Sequence, residues 1–120
     1  MWQFSQSTGL MRSGRARVGY GWAGQREGRN NPAMQDVPGV GPLPQGHYLI
    51  GEPHNSPHTG PYTLDLSPAL TNTMFGRSGF RIHGAAADHP ELSSEGCIIL
   101  PRFFREIIWE SGVRDLEVVP

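Results

Sequence analysis

Phe80-Arg81-Ile82-His83-Gly84 and Ser93-Ser94-Glu95-Gly96-Cys97-Ile98-Ile99-Leu100 are the two stretches around which the chain is organised. The first alternates apolar and polar residues, the pattern of a half-buried strand. Phe80 and Ile82 then share one face, and Arg81 and His83 the other. The second ends in a β-branched run that reads as a buried strand, and it holds the only cysteine of the chain. A lone cysteine forms no internal disulfide, so Cys97 is either inert filling or a working thiol. Its setting favours work. Gly96 lets the backbone come close to a bound group, and a small-residue turn carries the thiol into a core strand near a histidine.

The chemistry gives that layout a purpose. A free thiol has a pKa of about 8.5, and only the thiolate attacks well. A histidine within reach takes the proton or holds an ion pair with sulfur. A tetrahedral oxyanion needs donors, which the backbone amides of Gly96 and Cys97 can supply.

The same residues carry a family resemblance. Ile82-His83-Gly84 followed by Ser94-Glu95-Gly96-Cys97-Ile98 resembles the Cys/His motif of the L,D-transpeptidases. The longer blocks Met74 to Gly84, Ser94 to Pro101, Gly28 to Gln35 and Gly41 to Gly46 resemble one divergent branch. That branch is the L,D-transpeptidase-like effector domain of type VI secretion systems. The resemblance implies an antiparallel β-sandwich or barrel and a cell-wall enzyme with no cofactor. Such an enzyme cuts or exchanges the terminal D-amino acid of the peptidoglycan stem tetrapeptide through a thioacyl intermediate. Carried over, Cys97 is the nucleophile, His83 the general base and Ser94 the small hydroxyl residue ahead of Gly96-Cys97. Glu95 stands where a histidine usually precedes the Gly-Cys pair, and it joins Arg77 and Arg81 as a substrate-binding candidate. The resemblance also implies toxicity in the periplasm of a target cell and a cognate immunity protein.

Bulk properties bound the alternatives. With 120 residues the chain makes one domain, residues 1–120. The net charge of -1 offers no basic surplus for a phosphate backbone, which argues against nucleic acid. All ten basic side chains are arginine, so lysine chemistry is excluded. Sixteen Gly and 11 Pro favour a turn-rich, mostly β domain. No apolar run reaches membrane-spanning length. The start, Met1 to Ser5, lacks a basic segment and an apolar core, so no signal peptide is expected and another delivery route is implied.

Taken in order, residues 2–21 read as a meander of short strands. Trp2 and Phe4 point inward from the first, and Ala16, Val18 and Tyr20 oppose outward-facing Arg15 and Arg17 on the third. Residues 22–46 form a long loop that is either a wall of the substrate cleft or a segment packed down by Met34, Val37, Val40 and Leu43. His47 to Ile50 is a strand. Residues 52–60 read as a turn-rich loop, in which Pro53 and Pro57 prevent His54 and His58 from presenting helical metal spacing. Tyr62, Leu64 and Leu66 alternate as a strand that ends at Pro68. Arg77 and Arg81 can each hold a carboxylate by a bidentate contact; a surface ion pair is the plainer role of either. Zinc on His83, His89 and Cys97 ranks below thiol chemistry, because the usual paired spacing is missing.

Asp88, Glu91 or a backbone carbonyl would orient the His83 ring, and the sequence leaves the three open. Pro101 opens a helix over about 102–111, with Phe103/Ile107 and Phe104/Ile108 as its apolar face and Gly112 as its stop. Leu116 to Val119 closes the sheet. Two rival functions remain at this level: a thiol peptidase or amidase for other peptides, and a non-catalytic wall-binding or phage-associated module.

Overall fold

The computed structural model describes residues 1–15 and 17–120, and the backbone of Arg17 without its side chain. Ten strands and one helix form it: β1 (Trp2–Ser5), β2 (Leu10–Ser13), β3 (Arg17–Tyr20), β4 (Trp22–Ala23), β5 (Gly46–Ile50), β6 (His54–Ser56), β7 (Gly60–Pro68), β8 (Arg81–His83), β9 (Ile98–Ile99), α1 (Arg102–Glu110) and β10 (Asp115–Val119). The strands lie in the order β3-β2-β1-β10-β5-β7-β8-β9-β4, with β6 paired to β7. Only Gly21 separates the two end strands, β3 and β4, in the chain. The sheet therefore curls back on itself into a nearly closed barrel, the mostly β architecture that the composition favours.

Most pairings are antiparallel, but β1 runs parallel to β10, and β8 parallel to β9. Alternation explains the core. Trp2 and Phe4 from β1, Met11 from β2, Leu64 from β7, Ile82 from β8, Ile98 from β9 and Leu116 from β10 are all fully buried. Burying each such side chain contributes roughly 1.5–3 kcal/mol.

Three expectations need correction. Val18 and Tyr20 face solvent, being 46% and 70% exposed. The inward residue of β3 is Gly19, where a Cβ would lie 2.8 Å from the Phe104 ring. Ala16 and the Arg17 side chain lie outside the described residues. On α1 the inward residues are Phe104, Arg105 and Ile108, whereas Phe103 is 64% exposed. The rotation follows from packing: Trp2 meets Phe104 edge-on at 5.7 Å, and that contact fixes which face turns inward. Finally, the 52–60 segment contains strand β6, which Pro53 and Pro57 bracket. Ser56 Oγ accepts from the His58 and Thr59 amides at 3.2 and 3.1 Å and closes the turn back to β7.

The helix otherwise follows its sequence signals. Gly112, at φ +78°, ends it. Arg102 at its start pairs with Glu106 at 3.6 Å, the i,i+4 contact that offsets an unfavourable place on the helix dipole.

Candidate active site

Register sets the candidate pair. In the β8–β9 ladder Ile82 pairs with Ile98 and His83 with Ile99. Ile82 and Ile98 point into the core, so His83 and Cys97 belong to the opposite face and lie diagonally across the two strands. Cys97 is half-buried. Its thiol lies beside the Arg81 backbone amide and 4.0 Å from the Gly79 carbonyl. His83 is 5% exposed.

The turn before Cys97 is locked by Ser94. Its fully buried hydroxyl accepts from the Gly24 amide at 2.8 Å and the Gly96 amide at 3.1 Å, and it donates to the Cys97 carbonyl. Gly96 is at φ +134°, and a Cβ there would come within 2.6 Å of Arg77 Nη2 and 2.7 Å of the Phe80 ring. Glycine is thus demanded by backbone angle and by space. Its amide is engaged by Ser94, which leaves the Cys97 amide as the donor without a partner among the described residues.

His83 Nδ1 lies 2.9 Å from the Gly84 carbonyl oxygen. A carbonyl only accepts, so Nδ1 carries the proton and Nε2 keeps the lone pair. A backbone carbonyl is therefore the group that orients the ring. Asp88 and Glu91 are exposed, and Glu91 pairs with His89 at 3.4 Å.

The two arginine candidates sit differently. Arg77 is 8% exposed and donates to the carbonyls of Gln35 (2.6 Å), Pro42 (2.8 Å), Gly41 (3.0 Å) and Glu95 (3.0 Å). It fastens the 22–46 loop to the Cys97 turn. Arg81 pairs with Asp65 at 3.2 Å and donates to Ser56 Oγ at 3.2 Å, the ion-pair role. Glu95 is exposed, and its carbonyl serves Arg77.

Cys97 and His83 line two different cavities. Cys97 lines one of about 240 Å³ with Pro38, Gly39, Arg77, Gly79 and Glu95. The long loop thus packs down, through fully buried Leu43, and also walls the cavity of the thiol. His83 lines the other, of about 490 Å³, with Thr59, Gly60, Gly84, Ser93 and Arg105. Arg105 is absent from the sequence-level candidates. Its signal is an arginine inside the otherwise apolar stripe Phe104, Ile108, Trp109.

Burial governs the charge states. It pushes the Cys97 thiol above its ordinary value, although the Arg81 amide and the Arg81 charge oppose this. It pushes His83 below its ordinary 6.5, against the Gly84 hydrogen bond and helped by Arg105 and Arg81. Near neutral pH both groups are uncharged, and no hydrogen bond joins them among the described residues. The signs give a stability window. The unfolded state binds the extra proton at His83 as pH falls through 6.5, so the fold loses stability there. The unfolded state releases the Cys97 proton first as pH rises, so the fold loses stability again above the free-thiol range, about 8.5. Alkylation by iodoacetamide should accordingly rise with a midpoint above about 8.5 in the ligand-free protein. A rate already at its plateau at pH 6–7, about two units lower, would mean a preformed ion pair instead.

A family model, the Tlde1 domain, matches residues 18–118. That span contains β4 through β9, the helix, and every residue named at the site. No curated protein matches the chain. No helix among the described residues is long and apolar enough to cross a membrane. With its model matched over most of its length, the chain belongs to the Tlde1 domain family of type VI secretion effectors.

Proposed function

We propose that the protein is a cysteine enzyme of the bacterial cell wall, an L,D-carboxypeptidase and D-amino acid exchanging L,D-transpeptidase acting on peptidoglycan stem tetrapeptides. The observation that carries this reading is the half-buried Cys97 at a cavity mouth, on the same sheet face as a histidine whose Nδ1–H is held by Gly84. The four-residue stem, its terminal D-amino acid and free D-amino acids are the ligands it implies.

The resting pair is neutral, so proton transfer accompanies attack. His83 Nε2 takes the thiol proton as Sγ bonds to the carbonyl carbon of the residue before the terminal D-amino acid. Such contacts are commonly long without substrate and tighten in the complex. The oxyanion is met by the Cys97 amide. The C–N bond then breaks, and His83 returns its proton to the departing amine. A thioester remains on Cys97. Water or the amine of another D-amino acid gives a proton to His83 and attacks the thioester. The C–S bond breaks, the thiol recovers its proton, and a tripeptide or an exchanged tetrapeptide leaves.

Membership of an effector family supports release from the producing cell, and the peptidoglycan substrate supports action in the target periplasm. It also supports a cognate immunity protein, which would block the two cavities. The direct test is mass spectrometry of stem tetrapeptides incubated with the protein, with and without excess D-methionine. Loss of the terminal residue, and a methionine-exchanged product in the second tube, are expected. Unchanged peptide in both tubes removes the enzyme reading.

A further inference from the structure

The His83 cavity contains a feature that the reaction above does not use. Arg105 is 5% exposed, and its Nη1 donates to the carbonyls of Pro61 at 2.9 Å and Tyr62 at 2.8 Å. Those two bonds aim the guanidinium. Its Nε has no partner, and its Nη2 carries no hydrogen bond among the described residues. The acid next to it in sequence, Glu106, pairs with Arg102 instead. Gly84 makes room for the group: a Cβ there would lie 2.9 Å from Arg105 Nη2. A buried cation held by two neutral carbonyls, without an acid against it among the described residues, is an unbalanced charge at a cavity wall. Guanidinium geometry matches a carboxylate.

We propose that Arg105 is the carboxylate receptor of this cavity and takes the free α-carboxylate of the terminal D-amino acid. The assignment rests on the thioacyl reading for the identity of the ligand. It follows from which groups share the space. His83 must protonate the departing amine, so the departing amino acid lies on the His83 side, where Arg105 also opens. Its carboxylate is one carbon from that amine. An incoming D-amino acid would be seated by the same contact, and peptides without a free C-terminus would be rejected.

A titration on the wild-type protein tests this without relying on turnover. The Arg105 Nε–H resonance is followed by NMR while N-acetyl-D-alanine or N-acetyl-D-alaninamide is added. A saturable shift with the acid and none with the amide is expected. No shift, or equal shifts with both, overturns the proposal. Kinetics separate it from the reading on which it rests. Wild type should cut a stem tetrapeptide with a free C-terminus about 10- to 100-fold better, in kcat/KM, than the same peptide carboxamide, the range of a charge-assisted hydrogen bond. Arg105→Met should bring the acid-to-amide ratio down to about one, a ratio within one variant that a general loss of activity or stability does not move. Equal cutting of both peptides by wild type defeats the Arg105 proposal while the thioacyl reading stands. An acid-specific shift with neither peptide cut keeps the receptor and defeats the thioacyl reading.

Discussion

Cys97→Ala is expected to leave the protein folded and to lower removal of the terminal D-amino acid by about 10³-fold or more, the scale on which a covalent nucleophile is lost. The thiol makes only a weak contact to the Gly79 carbonyl, at 4.0 Å, so stability should change by no more than about 1 kcal/mol. Ser94 and Gly96, which shape the turn, are untouched. Paired thermal melts and product analysis would check both halves. In a target cell with the protein directed to the periplasm, the variant should be harmless where the parent arrests growth. Full toxicity in the variant would point to the rival reading, a wall-binding module without catalysis.

Arg77→Met is expected to destabilise the fold by about 3–5 kcal/mol, since it leaves four inward carbonyls without their donor. A domain of this size has about 5–15 kcal/mol in all, so urea denaturation should show the midpoint fall by about a fifth or more. The melting temperature should drop by about 10–20 °C. Arg77→Lys should recover only part of this, because one ammonium cannot reach carbonyls that a planar fork spans. If Arg77 instead held substrate, the same variants would melt normally and bind peptide poorly.

How much of this was visible in the residues alone depends on the range of the interaction. The Gly96-Cys97 turn and the His83 strand are written in local alternation, and both stand where that pattern puts them. The helix, too, follows its own punctuation from Pro101 to Gly112. Its rotation does not, because the decisive contact is Trp2 on Phe104, 102 positions apart in the chain. Separation along the chain also hides the role of Arg105: its place in the apolar stripe marks it, but Pro61, Tyr62 and Gly84, which close around it, belong to other elements. Arg77 is hidden for a related reason. Its partners are main-chain oxygens, which any sequence would offer. Val18 and Tyr20 mislead outright, since an apolar alternation on β3 turns its large side chains outward and leaves glycine to meet the helix.

The seam between β1 and β10 has a consequence for biosynthesis. A nascent chain on the ribosome has β1 and β5 in hand long before Asp115 to Val119 emerge, and until then both strands present bare edges. The sheet can be zipped up only when this last strand slides in between them, a contact of long sequence separation that slows folding. Until it docks, the sheet that carries His83 stays open at the seam between β1 and β5.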